Sequence, residues 1–302
     1  MANPRAILIA GPTASGKSAL AIELVRRRGA LGGVIINADS MQIYDRLRII
    51  TARPSAEEEA LAPHRLFGCI DPGERFSTGR WLAAARAELA RADREGLLPI
   101  FVGGTGLYFK ALTQGLAPVP TVPEELLQNW RAEAGRLGAP ILHAILAGRD
   151  PEMAASLQEN DTQRIVRALC VLEATGRSLL DWQSEPAADP LLRVEDCTAL
   201  FLDPDRAELH KRINERFDTM MRQGALEEVR ALLALGLDPS LPVMRAHGVP
   251  HLISHLEGRI DLATAIARGK GDTRRYAKRQ KTWFRHQMPG WTSVEDAAAF
   301  CG

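Results

Sequence analysis

Ala6-Ile7-Leu8-Ile9-Ala10-Gly11-Pro12-Thr13-Ala14-Ser15-Gly16-Lys17-Ser18 is the stretch on which the fold turns. Its first five residues are apolar without alternation, as in a strand buried on both faces, and the apolar spacing that follows predicts a helix over Lys17 to Arg28. Between them, Gly11 to Ser18 fits GxxxxGK(S/T) at every fixed position, in the strand-to-helix context that gives the motif its meaning. Glycines let the backbone turn so that successive N–H groups point inward, and the helix N-terminus adds positive potential. Lys17 can then meet an outer phosphate, and the Ser18 hydroxyl is the candidate ligand for Mg²⁺. Such a loop recognises a diphosphate and leaves open what hangs from it.

Outward from this stretch, Val34 to Ala38, a weaker run from Arg65 to Ile70, Leu98 to Val102 and Thr198 to Leu202 read as further strands. Ser77 caps a predicted helix to about Arg94, and Asp205 to Gln223 carries Leu209, Ile213, Phe217 and Met220 at helical spacing. Strands alternating with helices argue a parallel sheet covered on both faces. After Gly115 the pattern breaks at Pro118, Pro120 and Pro123, and Glu124 to Glu173 is helical in composition. The expected organisation is a core domain of residues 1–115 and 197–302 with a helical insertion domain of residues 116–196. From Ala225 to about Met288 the reading is helical, with Pro242 and Pro250 as breaks and a last short apolar stretch near Trp291.

With 302 residues, 46 % hydrophobic and 25 % charged, the chain has the balance of a globular protein, neither disordered nor fibrous. Lys and Arg number 38 against 37 Asp and Glu, so net charge points to no partner and any nucleic-acid surface must come from clustering. Cys69, Cys170, Cys197 and Cys301 stand far apart, which argues against a zinc ribbon or disulfide framework and for reduced thiols. Met1 to Arg5 runs straight into the first strand and no apolar run approaches a membrane span, so a cytoplasmic protein without a membrane role is expected.

Asp39 lies at the carboxyl end of the second strand, the end that faces the ligand crevice in an open parallel sheet. As residue types, Asp39 reads as a base, a helix cap or a metal ligand of a nucleotide hydrolase. Ser40 reads as a cap or a site hydroxyl, and Thr105, after Gly103-Gly104, as a cap of the next helix or a group facing Asp39. Between Arg268 and His286 stand eight Lys or Arg and one acid, Asp272. Arg274, Lys278, Lys281 and Arg285 fall on one helical face as a backbone-gripping stripe, with Tyr276, Trp283 and Phe284 as core anchors. His247, His251 and His255 have metal-like spacing, but Gly248 and Pro250 spoil the first turn, so no zinc site is expected.

Taken together, the strings Gly11 to Ser18, Asp39 to Tyr44 (DSMQIY), Pro63 to Leu66, Val102 to Tyr108 (VGGTGLY), Asn160 to Arg164, Arg212 to Phe217 and Tyr276 to Gln280 resemble, in order, the tRNA dimethylallyltransferases, also called tRNA isopentenyltransferases. The resemblance covers about residues 5–286. It implies an α/β fold with a P-loop NTPase-like parallel sheet flanked by helices and a helical insertion domain. It also implies transfer of a dimethylallyl group to N6 of adenine 37 beside the anticodon, so the partners are dimethylallyl diphosphate and the tRNA anticodon stem-loop, with Mg²⁺ as cofactor. A monomer is expected.

On that resemblance Gly11, Pro12, Thr13, Ala14, Ser15, Gly16, Lys17 and Ser18 hold the prenyl diphosphate, and Arg216 clamps the leaving group from the opposite side. Asp39 matches the catalytic aspartate, base and orienter of N6, and Thr105 matches a threonine of the tRNA and reaction site. Ser40, Met41 and Gln42 lie beside the target base. Gln163, Arg164, Ile165, Val166 and Arg167 match a tRNA-contact segment of the insertion, and Arg245, Arg274, Lys278 and Lys281 complete the tRNA contacts. The base must leave its stack to react, at a cost of a few kcal/mol, and a channel between core and insertion is expected to receive it. Arg245-Ala246-His247-Gly248-Val249-Pro250 departs from the Gly-Tyr-Arg string of many members, and Leu127 stands near a position where other members often carry a basic tRNA-contact residue. The rivals are an adenylate prenyltransferase and a P-loop small-molecule kinase; the latter needs a second acidic metal ligand that the sequence does not offer.

Overall fold

The computed structural model describes residues 4–29 and 32–296. Cys301, Met1 to Asn3 and the last residues of the expected core domain lie outside them. In chain order, β1 (Ala6–Ala10) leads into α1 (Lys17–Arg28), β2 (Gly33–Asn37) into α2 (Ala56–Leu61), β3 (His64–Arg65) into α3 (Thr78–Glu95), and β4 (Leu98–Gly103) into α4 (Gly106–Gln114). The helices α5 (Glu124–Leu137), α6 (Ala139–Arg149), α7 (Pro151–Ala155), α8 (Thr162–Thr175) and α9 (Leu179–Ser184) follow. The chain then returns through β5 (Cys197–Leu202), α10 (Arg206–Arg222), α11 (Ala225–Leu233), α12 (Val249–Leu256), α13 (Leu262–Gln287) and β6 (Thr292–Val294).

The six strands form one sheet in the order β3-β2-β4-β1-β5-β6, every neighbour parallel. Register places Ile9 between Val102 of β4 and Leu200 of β5. Alternate residues of β1 serve opposite faces: Ile7 and Ile9 pack with Leu20, Ala21 and Val25 of α1, and Leu8 and Ala10 with the cluster that holds Trp81, Phe109 and Phe284. Both faces are therefore covered, which is why the strand sequences show no polar alternation. The loops after β1, β2 and β4 gather at the carboxyl edge of the sheet.

The weaker strand expected over Arg65 to Ile70 stops at Arg65, because Leu66 (φ 62°) and Gly68 (φ 55°) turn left-handed; only an isolated bridge from Tyr44 to Ile70 continues the pairing. β6, not foreseen, is a short edge strand whose Thr292 and Ser293 are exposed and polar. Pro250 breaks nothing: it sits in the first turn of α12, where its missing N–H is not needed.

The chain divides into two compact units, Met1–Thr113 with Leu191–Gly302, and Gln114–Pro190. The boundary falls at 190 rather than 196 because Leu192 is fully buried in the first unit and its N–H donates to the Leu112 carbonyl (3.1 Å). The second unit has its own core, in which Leu142, Leu146, Ile165 and Leu169 are fully buried. Among the described residues no helix is long and apolar enough to cross a membrane.

Candidate active site

The loop after β1 is a cradle in geometry as well as in residue type. Gly16, the N-cap of α1, has φ 93°, and Ala14 is held at φ 63°, a left-handed conformation that an L side chain adopts only at a cost of about 1 kcal/mol or more. The first turn of α1 points its N–H groups into this loop. The Lys17 ammonium folds over it and donates to the Pro12 carbonyl (3.1 Å). Burial brings the Lys17 pKa down to about 8; Asp39 pulls it back up and Arg216 adds to the fall. Ser15 is 3 % exposed, and its Oγ has no hydrogen-bond partner among the described residues.

The loop after β2 is clamped by Asn37, a fully buried polar residue at the strand end. Its Oδ1 accepts from the Asp39 N–H (2.8 Å), its Nδ2 donates to the Asp39 and Leu66 carbonyls (2.9 and 3.0 Å), and its own carbonyl accepts from the Trp81 indole (2.9 Å). Asp39 Oδ1 in turn accepts from the Met41 N–H (2.9 Å), which fixes the carboxylate plane. Thr105 does not spend its hydroxyl on capping α4. Its Oγ1 accepts from the Ser40 N–H (2.9 Å), donates to Ser40 Oγ (3.2 Å), and is hydrogen-bonded to the Tyr276 side chain. Burial, and secondarily the charge of Asp39, raise the Tyr276 pKa, so it remains a phenol.

Cradle and carboxylate open onto one cavity of about 270 Å³. Thr13 and Ala14 reach it from the first loop, Asp39, Ser40 and Met41 from the second, and Arg216 from α10. Ile50, Ile213, Phe217 and Met220 supply an apolar wall, and Arg245, His247 and Tyr276 are among the polar residues that also line it. Arg216 is largely desolvated, which lowers its pKa against the opposing pull of the Glu58 and Asp39 carboxylates. His247 is held below the ordinary histidine range by burial, aided by Arg279 and opposed by Asp39 and Asp272, so it is neutral near pH 7. Its ring lies 4.3 Å from that of Tyr276.

Other candidate residues fall elsewhere. Gln42 donates to the Thr51 and Ala52 carbonyls (2.9 Å each), holding a loop of the cavity wall instead of presenting its amide nitrogen to a ligand. In the second unit Gln163 and Arg164 are exposed on α8 and Arg167 is half-buried. Ile165 and Val166 correct the expected tRNA-contact segment: at 0 % and 5 % exposure their side chains belong to that unit's core. Arg274, Lys278, Lys281 and Arg285 line one groove of about 500 Å³ with Arg206, His210 and Arg275. Lys281 is ion-paired with Asp203 (2.5 Å) and Arg274 donates to Asn214 (2.5 Å), so part of the stripe is already engaged. Phe284 is a core anchor as expected, whereas Tyr276 belongs to the cavity. His251 bonds to Asp272 (2.7 Å) and His255 Nδ1 to the Ile260 carbonyl (3.1 Å), so the histidine series does not converge.

Among the described residues no group of three or more His, Cys, Asp or Glu is gathered as a metal cage. Mg²⁺ commonly takes one or two protein oxygens and completes its shell with phosphate oxygens and water. Ser18, partly exposed on the first turn of α1, fits that donor set. Sequence reasoning did not single out Asn37, His247 or Gln280 as parts of the site. Asn37 left a signal as a polar residue closing an apolar strand, and Gln280 as the last residue of the Tyr276 to Gln280 string.

The family described as IPP transferase matches residues 42–287 and that described as isopentenyl transferase residues 4–69. A tRNA dimethylallyltransferase of Methylocella silvestris is 58 % identical over 296 residues, covering 97 % of this chain and 96 % of its own, and that of Beijerinckia indica subsp. indica is 57 % identical over 297 residues, covering 98 % and 97 %. Among solved structures, the full-length tRNA isopentenylpyrophosphate transferase of Bacillus halodurans is 32 % identical with a TM-score of 0.68, over 97 % of this chain and 90 % of the other. A eukaryotic dimethylallyltransferase, described as acting on tRNA, is 27 % identical with a TM-score of 0.78, over 97 % of this chain and 73 % of the other.

Proposed function

This chain belongs to the IPP transferase family, that of the tRNA dimethylallyltransferases, and from that premise we propose that it transfers the dimethylallyl group of dimethylallyl diphosphate to N6 of adenine 37 in the tRNA anticodon loop, releasing diphosphate. The observation that carries the reading is the single cavity that joins a phosphate-binding loop, a desolvated arginine, an apolar wall and a carboxylate. A kinase needs no apolar wall beside its phosphates; a five-carbon donor does.

In this reading the diphosphate lies on the loop N–H groups and the N-terminus of α1, with Lys17 on one side and Arg216 on the other. As the allylic C–O bond breaks, negative charge grows on the departing diphosphate, and these fixed donors stabilise it in place. The prenyl chain rests on Ile50, Ile213, Phe217 and Met220. N6 forms the new C–N bond and becomes strongly acidic as it does so, and its proton passes to Asp39, for which an ordinary carboxylate is sufficient. Thr105 and Tyr276, neutral and hydrogen-bonded, keep the Asp39-Ser40 turn in position. Bound Mg²⁺, with Ser18 as its protein ligand, would add charge neutralisation on the diphosphate.

The tRNA would be gripped through its phosphates by the α13 groove and through Gln163, Arg164 and Arg167 of the second unit, with Arg245 at the cavity. The test is incubation of the protein with labelled dimethylallyl diphosphate, Mg²⁺ and either unmodified tRNA or free AMP. Label is expected in tRNA, on N6 of adenine 37. Label in AMP alone would make the chain an adenylate prenyltransferase, and phosphate release from ATP without prenyl transfer would make it a kinase.

A further inference from the structure

Gln280 lies on α13, far in sequence from both loops of the site, yet it touches both. It is 5 % exposed. Its Oε1 accepts from the Thr13 N–H of the phosphate loop (3.3 Å), and its Nε2 donates to the Gly104 carbonyl (2.8 Å), one residue before Thr105. The orientation of the amide is chemically forced, since a backbone N–H only donates and a carbonyl only accepts.

Neighbouring positions on α13 dock on the same turn. Four residues before Gln280, Tyr276 is hydrogen-bonded to Thr105; three residues after it, the Trp283 ring covers Gly106. A Cβ on Gly104 would lie 2.1 Å from Gln280 Nε2, and one on Gly106 would lie 2.1 Å from the Trp283 ring. Tyr276, Gln280 and Trp283 thus form one helical face pressed onto Gly104 to Gly106, with space there only for hydrogen.

We propose that Gln280 is a positioning residue: its amide sets the spacing between the loop that holds the donor diphosphate and the Thr105-Ser40-Asp39 group that orients the acceptor amine. The inference rests on the proposed prenyl transfer. In a displacement between two bound substrates, the nucleophile must approach the carbon in line with the leaving group, and an error of about 1 Å in their relative placement costs up to about 100-fold in rate without weakening either substrate's own contacts. Gln280 touches no reacting atom. It ties the backbone of one substrate's loop to the backbone of the other's.

Two substitutions test this. Gln280→Met keeps the volume and removes both hydrogen bonds; Gln280→Glu keeps an acceptor for Thr13 and, ionised, loses the donor to Gly104. Gly104→Ala, which drives the amide away from the opposite side at a backbone position with no left-handed φ, is the independent third variant. Inorganic diphosphate binding is measured by calorimetry, and steady-state kinetics with dimethylallyl diphosphate and tRNA separates kcat from both KM values. The expected result is diphosphate affinity and both KM values within about threefold of the parent protein and kcat lowered about 10- to 100-fold. Unchanged kcat in folded Gln280→Met and Gly104→Ala would overturn the proposal, as would a loss confined to KM or to diphosphate affinity. Parent protein that binds diphosphate but leaves tRNA unmodified would overturn the functional reading itself, and this inference with it.

Discussion

Lys17 carries its charge at a site that disfavours it. Burial brings its pKa to about 8 from an unfolded value of 10.5, so between those two pH values the unfolded chain holds more of this proton than the folded one. The charged lysine therefore costs stability below about pH 8, and that cost is relieved as pH rises toward 10.5. For ligand binding the sign is opposite, because an incoming diphosphate needs the cation. Affinity for inorganic diphosphate is expected to fall as pH rises above about 8, and Lys17→Met should bind more weakly at pH 7 and lose that limb of the profile; calorimetry across pH 7 to 10 reads both. Asp39→Asn keeps volume and the turn to Met41 but removes the proton acceptor. It should bind diphosphate like the parent protein and lose about 10²–10⁴ in kcat, measured as label transferred to tRNA per minute.

At the scale of elements, the site is built by loops that distant helices hold still. The Glu228 carboxylate of α11 accepts from the consecutive N–H groups of Arg48, Ile49 and Ile50 (2.6, 2.8 and 2.9 Å), fixing the segment that brings Ile50 and Thr51 to the cavity. Glu228→Ala strands three donors at once and should cost about 2–4 kcal/mol in denaturant unfolding while raising KM for the prenyl donor. Gly103 closes β4 against β2 so tightly that a Cβ would stand 2.0 Å from the Ala38 carbonyl oxygen, a backbone atom that cannot step aside. Gly103→Ala should therefore destabilise by at least about 3 kcal/mol. Local periodicity revealed β1 and α1, and Leu209, Ile213, Phe217 and Met220 are buried on α10 as their spacing required. What it could not reveal are contacts set by tertiary packing. Gln280 closes a recognisable string, yet nothing in that string shows its bonds to Thr13 and Gly104; the end of β3 depends on the left-handed turn at Leu66, and Gln42 looks like a base reader until its carbonyl partners are in place.

Over the whole molecule the charge is close to balanced, so attraction for a polyanion must be local. The α13 groove concentrates Arg274, Arg275, Lys278, Lys281 and Arg285 in one concavity, and Asp203 and Asp272 take up part of that charge. If these cations meet phosphates, the logarithm of tRNA affinity should fall linearly with the logarithm of salt concentration, and Lys278→Ala should reduce the slope by about 1. Lys281→Ala, which also frees Asp203, should alter the slope less. A titration of unmodified tRNA between low and moderate salt distinguishes the two. The motif that opened the sequence marked Gly11 to Ser18 as the candidate phosphate cradle; it was the folded chain that brought the apolar wall of α10 and the carboxylate of Asp39 to the same cavity. The most direct measurement is a crystal structure of the protein with a non-reactive thiolo analogue of dimethylallyl diphosphate and an anticodon stem-loop. The account requires diphosphate oxygens on the Gly11 to Ser18 loop, the five-carbon chain against Ile213 and Phe217, and adenine N6 within hydrogen-bond reach of Asp39. An adenine seated away from Asp39, or a prenyl chain outside this cavity, would contradict it.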